Sequence, residues 1–182
     1  MTAIDGKHVF ALLAAGDRAS TAAARGKALE DLIVYLFELL PGISVTARNE
    51  LNAFGAEEID VAFWNEGDPA GLRLFDHIIL VECKNWTNPV GYPELAIFLD
   101  KLQSRGRPLG ILVAAAGVTG DPGDLTRAHS VLTRALSQGR EIIVVTRAEI
   151  EQLTEISQLI LLLKRKRAQL AVSGTIYQIG RK

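Results

Sequence analysis

His77-Ile78-Ile79-Leu80-Val81-Glu82-Cys83-Lys84 is an apolar run of strand-forming residues that ends in an acid and an amine two positions apart. Side chains alternate along a strand, so Ile78, Leu80, Glu82 and Lys84 share one face and Ile79, Val81 and Cys83 take the other. A charge at the end of an otherwise buried strand is costly unless it is paired. Glu82 and Lys84 are therefore either a mutual salt bridge or part of a site.

Two strands are expected before this one. Residues 43–49 alternate Ile43, Val45 and Ala47 with Ser44, Thr46 and Arg48. Residues 58–64 alternate Ile59, Val61 and Phe63 with Glu58, Asp60, Ala62 and Trp64, which puts Asp60 on the face opposite the Ile-Val-Phe row. A Gly- and Asp-containing loop leads back to the central strand, and the three together predict an antiparallel meander. Upstream, Leu29, Leu32, Ile33, Leu36, Leu39 and Leu40 form a helical stripe over residues 27–40, stopped by Pro41-Gly42. Glu30 sits at the rim of that stripe, where a solvated flank residue is the commoner outcome and a reach into a site the sharper one. The Ala-rich residues before it read as a short helix and a loop, with Gly16-Asp17 breaking the pattern.

After Lys84 the period changes. Gly91-Tyr92-Pro93 opens a helix with Leu95, Phe98, Leu99 and Leu102 on one stripe, and Gly106 ends it. Residues 109–116 are a buried strand, so strand, helix and strand predict a right-handed parallel crossover. A helix over 124–138, a core strand over 141–146 and a long helix from 148 onward follow, with a short strand at 175–179 in the tail. The fold class is α/β, a mixed β-sheet flanked by helices in a single domain. Its expected divisions are an N-terminal extension (1–25), a core (26–147) and a C-terminal helix and tail (148–182).

The 182 residues are 48% hydrophobic and 23% charged, the balance of one globular domain. A single cysteine excludes an internal disulfide framework and any Cys-based zinc site, and suits a reducing cytoplasm. No signal peptide is evident, and the apolar run at 159–163 is far too short to span a membrane. A cytoplasmic protein with no membrane partner is expected. The net charge of −1 gives no global argument for nucleic-acid binding, so any such binding needs a local patch.

Four polar residues intrude on apolar elements: Glu30, Asp60, Glu82 and Lys84. Asp60 and Glu82 lie on successive strands of the meander and can meet at one sheet end. Two carboxylates and a backbone carbonyl are the hard oxygen donors that Mg²⁺ prefers. Lys84, on the same side as Glu82, could orient a water and steady negative charge on a phosphate, with Glu30 approaching from the helix side. Other candidates have plainer readings. His129 falls within a Leu stripe and reads as a core histidine, while His8 and His77 lack partners at metal-ligand spacing. Cys83 is a small buried side chain whose carbonyl is the group of interest. Asn85 and Trp86 follow the strand end and could touch a nucleic-acid backbone or base, although Trp86 is equally suited to packing. Lys101, Arg105 and Arg107 form a modest basic cluster, either a phosphate contact or a solvated helix end. Lys164-Arg165-Lys166-Arg167 is the densest positive run, either a DNA arm or, as the simpler explanation, favourable charge at a helix C-terminus. Gly117-x-x-Gly120-x-x-Gly123 lacks the Gly-Lys-Ser/Thr ending of a phosphate loop.

The order helix-Glu, Asp, Glu-x-Lys, helix, strand resembles the PD-(D/E)xK nuclease superfamily, in particular Mrr-type restriction endonuclease domains, over residues 26–145. Gly26-Lys27-Ala28-Leu29-Glu30 is similar to the family's first-helix acid, Glu58-Ile59-Asp60 to its metal-binding aspartate, and Val81-Glu82-Cys83-Lys84-Asn85-Trp86 to its Glu-x-Lys strand end. Ile59 stands where the superfamily's name has proline, and Gln103 falls too late for the helix glutamine that some Mrr-type domains carry. The resemblance implies a restriction-endonuclease-like fold and a metal-dependent DNA endonuclease using Mg²⁺ or Mn²⁺. It implies Asp60, Glu82 and the Cys83 carbonyl as metal ligands, Lys84 positioning the attacking water, and Glu30 in support. Cutting both strands takes two sites, which makes a homodimer a reasonable hypothesis for the assembly. The competing expectation is a catalytically inactive nuclease-fold module that binds nucleic acid or protein, which the near-neutral charge favours.

Overall fold

Thr21 starts the helix that carries Glu30. Its side chain accepts the Ala24 N–H at 3.1 Å, a side-chain N-cap, and α2 then runs Ala22–Glu38, beginning before its apolar stripe does. The computed structural model describes residues 2–51, 58–119 and 127–175. Ahead of α2 lies α1 (Gly6–Arg18), capped by the Asp5 carboxylate. Gly16-Asp17 does not break this helix. Gly16 is buried in it, and a Cβ there would come within 2.8 Å of Asn85 Nδ2, so the glycine serves a close approach rather than a turn.

Strands β1 (Ile43–Leu51), β2 (Glu58–Asn65), β3 (Ile78–Lys84), β4 (Leu109–Ala114) and β5 (Glu141–Val145) form one sheet in the order β1-β2-β3-β4-β5. The first three pair antiparallel, as the meander predicts. The last three pair parallel, with α3 (Tyr92–Ser104) and α4 (Arg127–Ser137) as the connecting helices.

Alternation along β3 sorts its side chains into two cores. Ile79, Val81 and Cys83 join Leu29, Leu32, Ile33 and Leu36 of α2 on one face. Leu80 joins Leu95, Phe98, Leu99 and Leu102 of α3 on the other, so Glu82 and Lys84 are directed to the α3 side. Along β2 the alternation slips at its N-terminal end: Val61 and Phe63 pack in the α2 core, but Ile59 lands in the α3 core. The expected Ile-Val-Phe row is therefore broken one residue before the aspartate.

The C-terminal part departs from the single long helix expected. A one-turn helix, α5 (Arg147–Ile150), is closed off from α6 (Ile156–Ser173). Each has its own reciprocal cap, Thr146 with Glu149 and Glu155 with Gln158. The break is fixed from outside, because Ile4 N–H donates to the Thr154 carbonyl and Ile156 N–H to that of Thr2. Leu159 and Leu163 of α6 enter one core and Leu170 the other, so the helix passes the β5 edge and covers it. Half of the basic run on α6 is committed to the fold. Lys166 is paired with Glu149 at 2.7 Å, and Arg167 binds Glu141 and the Leu74 carbonyl over the Phe75 ring. The expected start of α4, the second and third glycines of the Gly117 stretch and most of the tail strand lie outside the described residues.

The α3 layer lies close to the sheet because Gly110 has no side chain. A Cβ there would stand 2.6 Å from Phe98 Cζ and 2.8 Å from Leu102 Cδ2. Overpacking of this kind costs roughly 1–3 kcal/mol. Gly110→Ala is expected to lose about that much stability in a denaturant melt, and unchanged stability would show that α3 shifts freely over β4.

Candidate active site

The β2–β3 ladder runs from Trp64↔Ile78 to Val61↔Val81 and stops there. Past that point the strands part, and the next donor on β3, the Cys83 N–H, bonds the Asp60 carboxylate (Oδ2) at 2.7 Å. A side chain has replaced the backbone acceptor, which answers where that buried N–H finds its partner. The same bond fixes Asp60 against the end of β3, beside Glu82.

Glu82 is 3% exposed and meets two ammonium groups. Lys84 Nζ lies 2.8 Å from Oε1. Lys101 Nζ, from α3, lies 2.9 Å from Oε1 and 2.7 Å from Oε2. Lys101 is 8% exposed, so it belongs to the site and is not the surface phosphate contact or solvated helix end that its sequence position suggests. Sequence gave one signal for it: with Leu95, Phe98, Leu99 and Leu102 on the buried stripe, Lys101 sits beside that stripe rather than opposite it.

The charges set one another's ionisation. Burial first, and then the neighbouring Glu82 charge, push the Asp60 carboxyl up to about 6, against the opposing pull of the Cys83 N–H, Lys84 and Lys101. Burial works to lower the Lys84 ammonium, but the charge and hydrogen bond of Glu82, with Asp60, outweigh it and hold Lys84 above its ordinary value. Lys84 is thus a donor, fully protonated near neutrality. The Cys83 thiol is raised well above its ordinary value by burial and by the surrounding Asp60, Glu30 and Glu82, which suits a packing residue and not a nucleophile.

Glu30 is buried, not the solvated flank residue. Its Oε2 accepts from Asn49 Nδ2 at 3.1 Å and lies 3.7 Å from Arg48 Nη2. Asn49 has φ 49°, a conformation that asparagine tolerates better than most residues. The structure brings Asp60, Glu82, Lys84 and Lys101 into one cluster. Glu30 is anchored to β1 from α2, with its field reaching Cys83. Neither Asn49 nor Arg48 is marked as a site residue by its sequence pattern.

Of the remaining candidates, Asn85 Nδ2 donates to the Arg25 carbonyl at 2.9 Å, and Trp86 is 44% exposed. Both line a cleft of about 300 Å³ with Asp17, Arg25 and Arg147, beside the strand ends. Asp60, Glu82 and Lys84 do not line it. Arg147 is held by Asp17 and, at 2.7 Å, by Glu151. Arg105 and Arg107 turn onto the C-terminus of α3 and its loop, Arg107 also reaching Asp76 at 3.4 Å. Gln103 bonds Gln138, away from the cluster. His129 is buried with its ring on Thr175, His8 packs on Tyr35 and His77 on Trp64.

A family model for restriction endonucleases matches residues 21–154. The chain belongs to the Mrr-type restriction endonuclease family. It is thereby a member of the PD-(D/E)xK nuclease superfamily, and its mixed five-stranded sheet flanked by helices is consistent with the restriction-endonuclease-like fold. No curated protein gives a significant match to the chain. No helix among the described residues is long and apolar enough to cross a membrane.

The nuclease superfamily uses divalent metal ions, and the residues present fit one. Among the described residues no three His, Cys, Asp or Glu side chains gather as a metal cluster. An ion would therefore rest on the Asp60 and Glu82 carboxylates, with a backbone carbonyl and water completing the set, a hard-oxygen site suited to Mg²⁺ or Mn²⁺. Burial first, and then the Glu82 charge, raise Asp60 despite the two lysines beside the pair, so a cation there would ease its ionisation.

Asp60 holds its proton more tightly folded than unfolded. Ionising it costs stability, and the cost grows as pH rises from about 4 to about 6. Asp60→Asn removes that cost, and its amide oxygen can still accept the Cys83 N–H. A gain of about 1–2 kcal/mol is expected at pH 7.5, several degrees in Tm, vanishing at pH 4. Melting curves at the two pH values check it; equal Tm at both would mean Lys84 and Lys101 already neutralise the pair.

Proposed function

We propose that the chain is a metal-dependent DNA endonuclease that hydrolyses phosphodiester bonds. Asp60, Glu82 and the Cys83 carbonyl would hold Mg²⁺ or Mn²⁺. The observation that carries this reading is the Asp60 carboxylate, locked by the Cys83 N–H beside Glu82 where β2 and β3 part. Membership of the restriction endonuclease family supplies the substrate class.

A bound divalent ion would supply Lewis-acid polarisation of the phosphate and a more acidic water. The chain's own residues supply the rest. Asp60 and Glu82 present fixed anionic oxygens. Lys84, kept as an ammonium by Glu82 and Asp60, acts as a donor that orients a water and steadies charge on a phosphate oxygen. Glu30, held by Asn49 and Arg48, supports the strand end from the α2 side. Arg25, Asn85 and Trp86, at the cleft beside Lys84, offer a basic and aromatic surface on which a nucleic-acid strand could lie. Cutting both strands of a duplex would use two such sites, in keeping with a homodimer on DNA.

One observation favours the second reading, an inactive nuclease-fold module. Glu82 is already matched by two ammonium groups, as it would be in a purely structural ion-pair cluster.

Cleavage of linear, supercoiled, branched and single-stranded DNA with Mg²⁺ or Mn²⁺ separates the two. Metal-dependent cutting by the wild type is expected, reduced by roughly 10²–10⁴-fold in Asp60→Ala and in Lys84→Ala. No cutting by folded protein, together with no metal binding by calorimetry, would leave the inactive module as the reading.

A further inference from the structure

Lys101 is the least expected member of the cluster. It comes from α3, where Gly110 lets the helix approach the sheet. Its ammonium spans both oxygens of Glu82, and the two side chains are almost wholly buried. A carboxylate has about four acceptor positions. On Glu82, Lys101 uses one on each oxygen and Lys84 takes another on Oε1. A cation shared between Glu82 and Asp60 would meet an ammonium already seated on the same oxygens.

Resting on the metal-dependent reading above, we propose that Lys101 is a built-in counter-cation for the metal site, a positioning residue that holds Glu82 paired and aimed while no divalent ion is bound and yields at least one Glu82 oxygen when one binds. Three features of its chemistry suit the part. An ammonium on a four-carbon stem can retreat without moving the helix, whereas a planar guanidinium would hold both oxygens in a fixed fork. A buried carboxylate left without any partner would be strongly destabilising, so something must hold Glu82 before the metal arrives. Lys84 contacts only Oε1, which makes Lys101 the residue that governs access to Oε2.

The consequence has a direction that a merely structural lysine would not give. Lys101 and a divalent ion repel each other and compete for the same oxygens, so the lysine weakens metal binding while it stabilises the metal-free protein. Lys101→Gln keeps hydrogen-bond donors on Glu82 and removes the charge. Calorimetric titration with Mn²⁺ is expected to show at least tenfold tighter binding by the variant than by wild type. Its Tm without metal should be lower, and its rise in Tm on adding Mn²⁺ larger. If wild type binds Mn²⁺ and the variant binds it equally or more weakly, the lysine only organises Glu82 and this inference fails alone. If wild type binds no Mn²⁺, the metal-dependent reading fails and takes this inference with it. A crystal structure of wild type with Mn²⁺ needs no variant to fold. There the Lys101 ammonium should have left at least one Glu82 oxygen, and an ammonium still seated on both beside a bound ion would overturn the proposal.

Discussion

The hydrogen bond from the Cys83 N–H to Asp60 stands where two strands stop pairing, and the site depends on that stop. Had the ladder run one step further, a backbone carbonyl of β2 would satisfy Cys83 and Asp60 would have no reason to turn toward β3. Ile59, which enters the α3 core, lies just beyond that stop, where β2 keeps its pairing with β1 through Ile59↔Glu50. On the other side β3 remains paired with β4 through Lys84↔Ala114. The central strand is therefore rigid to its last residue while one flank is open, and a pre-formed site needs that combination.

Charge balance decides what occupies the opening. Two buried acids on adjacent strand ends would repel, and the Glu82 charge adds to the larger upward push that burial gives Asp60, with two lysines offsetting part of it. A salt bridge and a site are therefore not alternatives for Glu82 and Lys84. The pair is a salt bridge, 2.8 Å long, and beside it Asp60 stays raised, first by burial and then by the Glu82 charge. A stability-optimised core would replace such a group with apolar residues. This one keeps an acid that its own fold makes costly to ionise.

Most of the fold was legible because it rests on local periodicity. The run 77–84, the stripes of α2 and α3, and the shift from meander to strand-helix-strand each follow from side-chain spacing, and the five strands pair as that spacing implies. What escaped rests on distant partners. Gly16 looks like a helix breaker until Asn85 is packed against it. The break between α5 and α6 is made by the chain's first residues pairing with Thr154 and Ile156, although the Thr154-Glu155-x-x-Gln158 pattern did carry a capping signal. Within the site, Asp60, Glu82 and Lys84 were marked by polarity on apolar strands. Lys101 was not, because a lysine near a helix C-terminus has an ordinary explanation and only the depth of α3 against Gly110 removes it. Glu30 and Asn49 meet across 19 residues through a positive-φ strand position, which no periodicity reveals.

The chain's near-neutral charge is accompanied by ion pairing within the fold. Many of its cations are bound internally: Arg48 by Asp31, Arg107 by Asp76, Arg147 by Asp17 and Glu151, Lys166 by Glu149 and Arg167 by Glu141. Even the basic run at 164–167, the densest in the sequence, spends two of its four charges on the fold. Counting basic residues therefore overstates the surface available to a phosphate backbone. Non-specific attraction grows with the number of phosphates neutralised, so a protein with its cations so committed gains little from long-range charge. Under the nuclease reading, recognition would then depend on fit at the strand ends, where Arg25, Asn85 and Trp86 line the cleft.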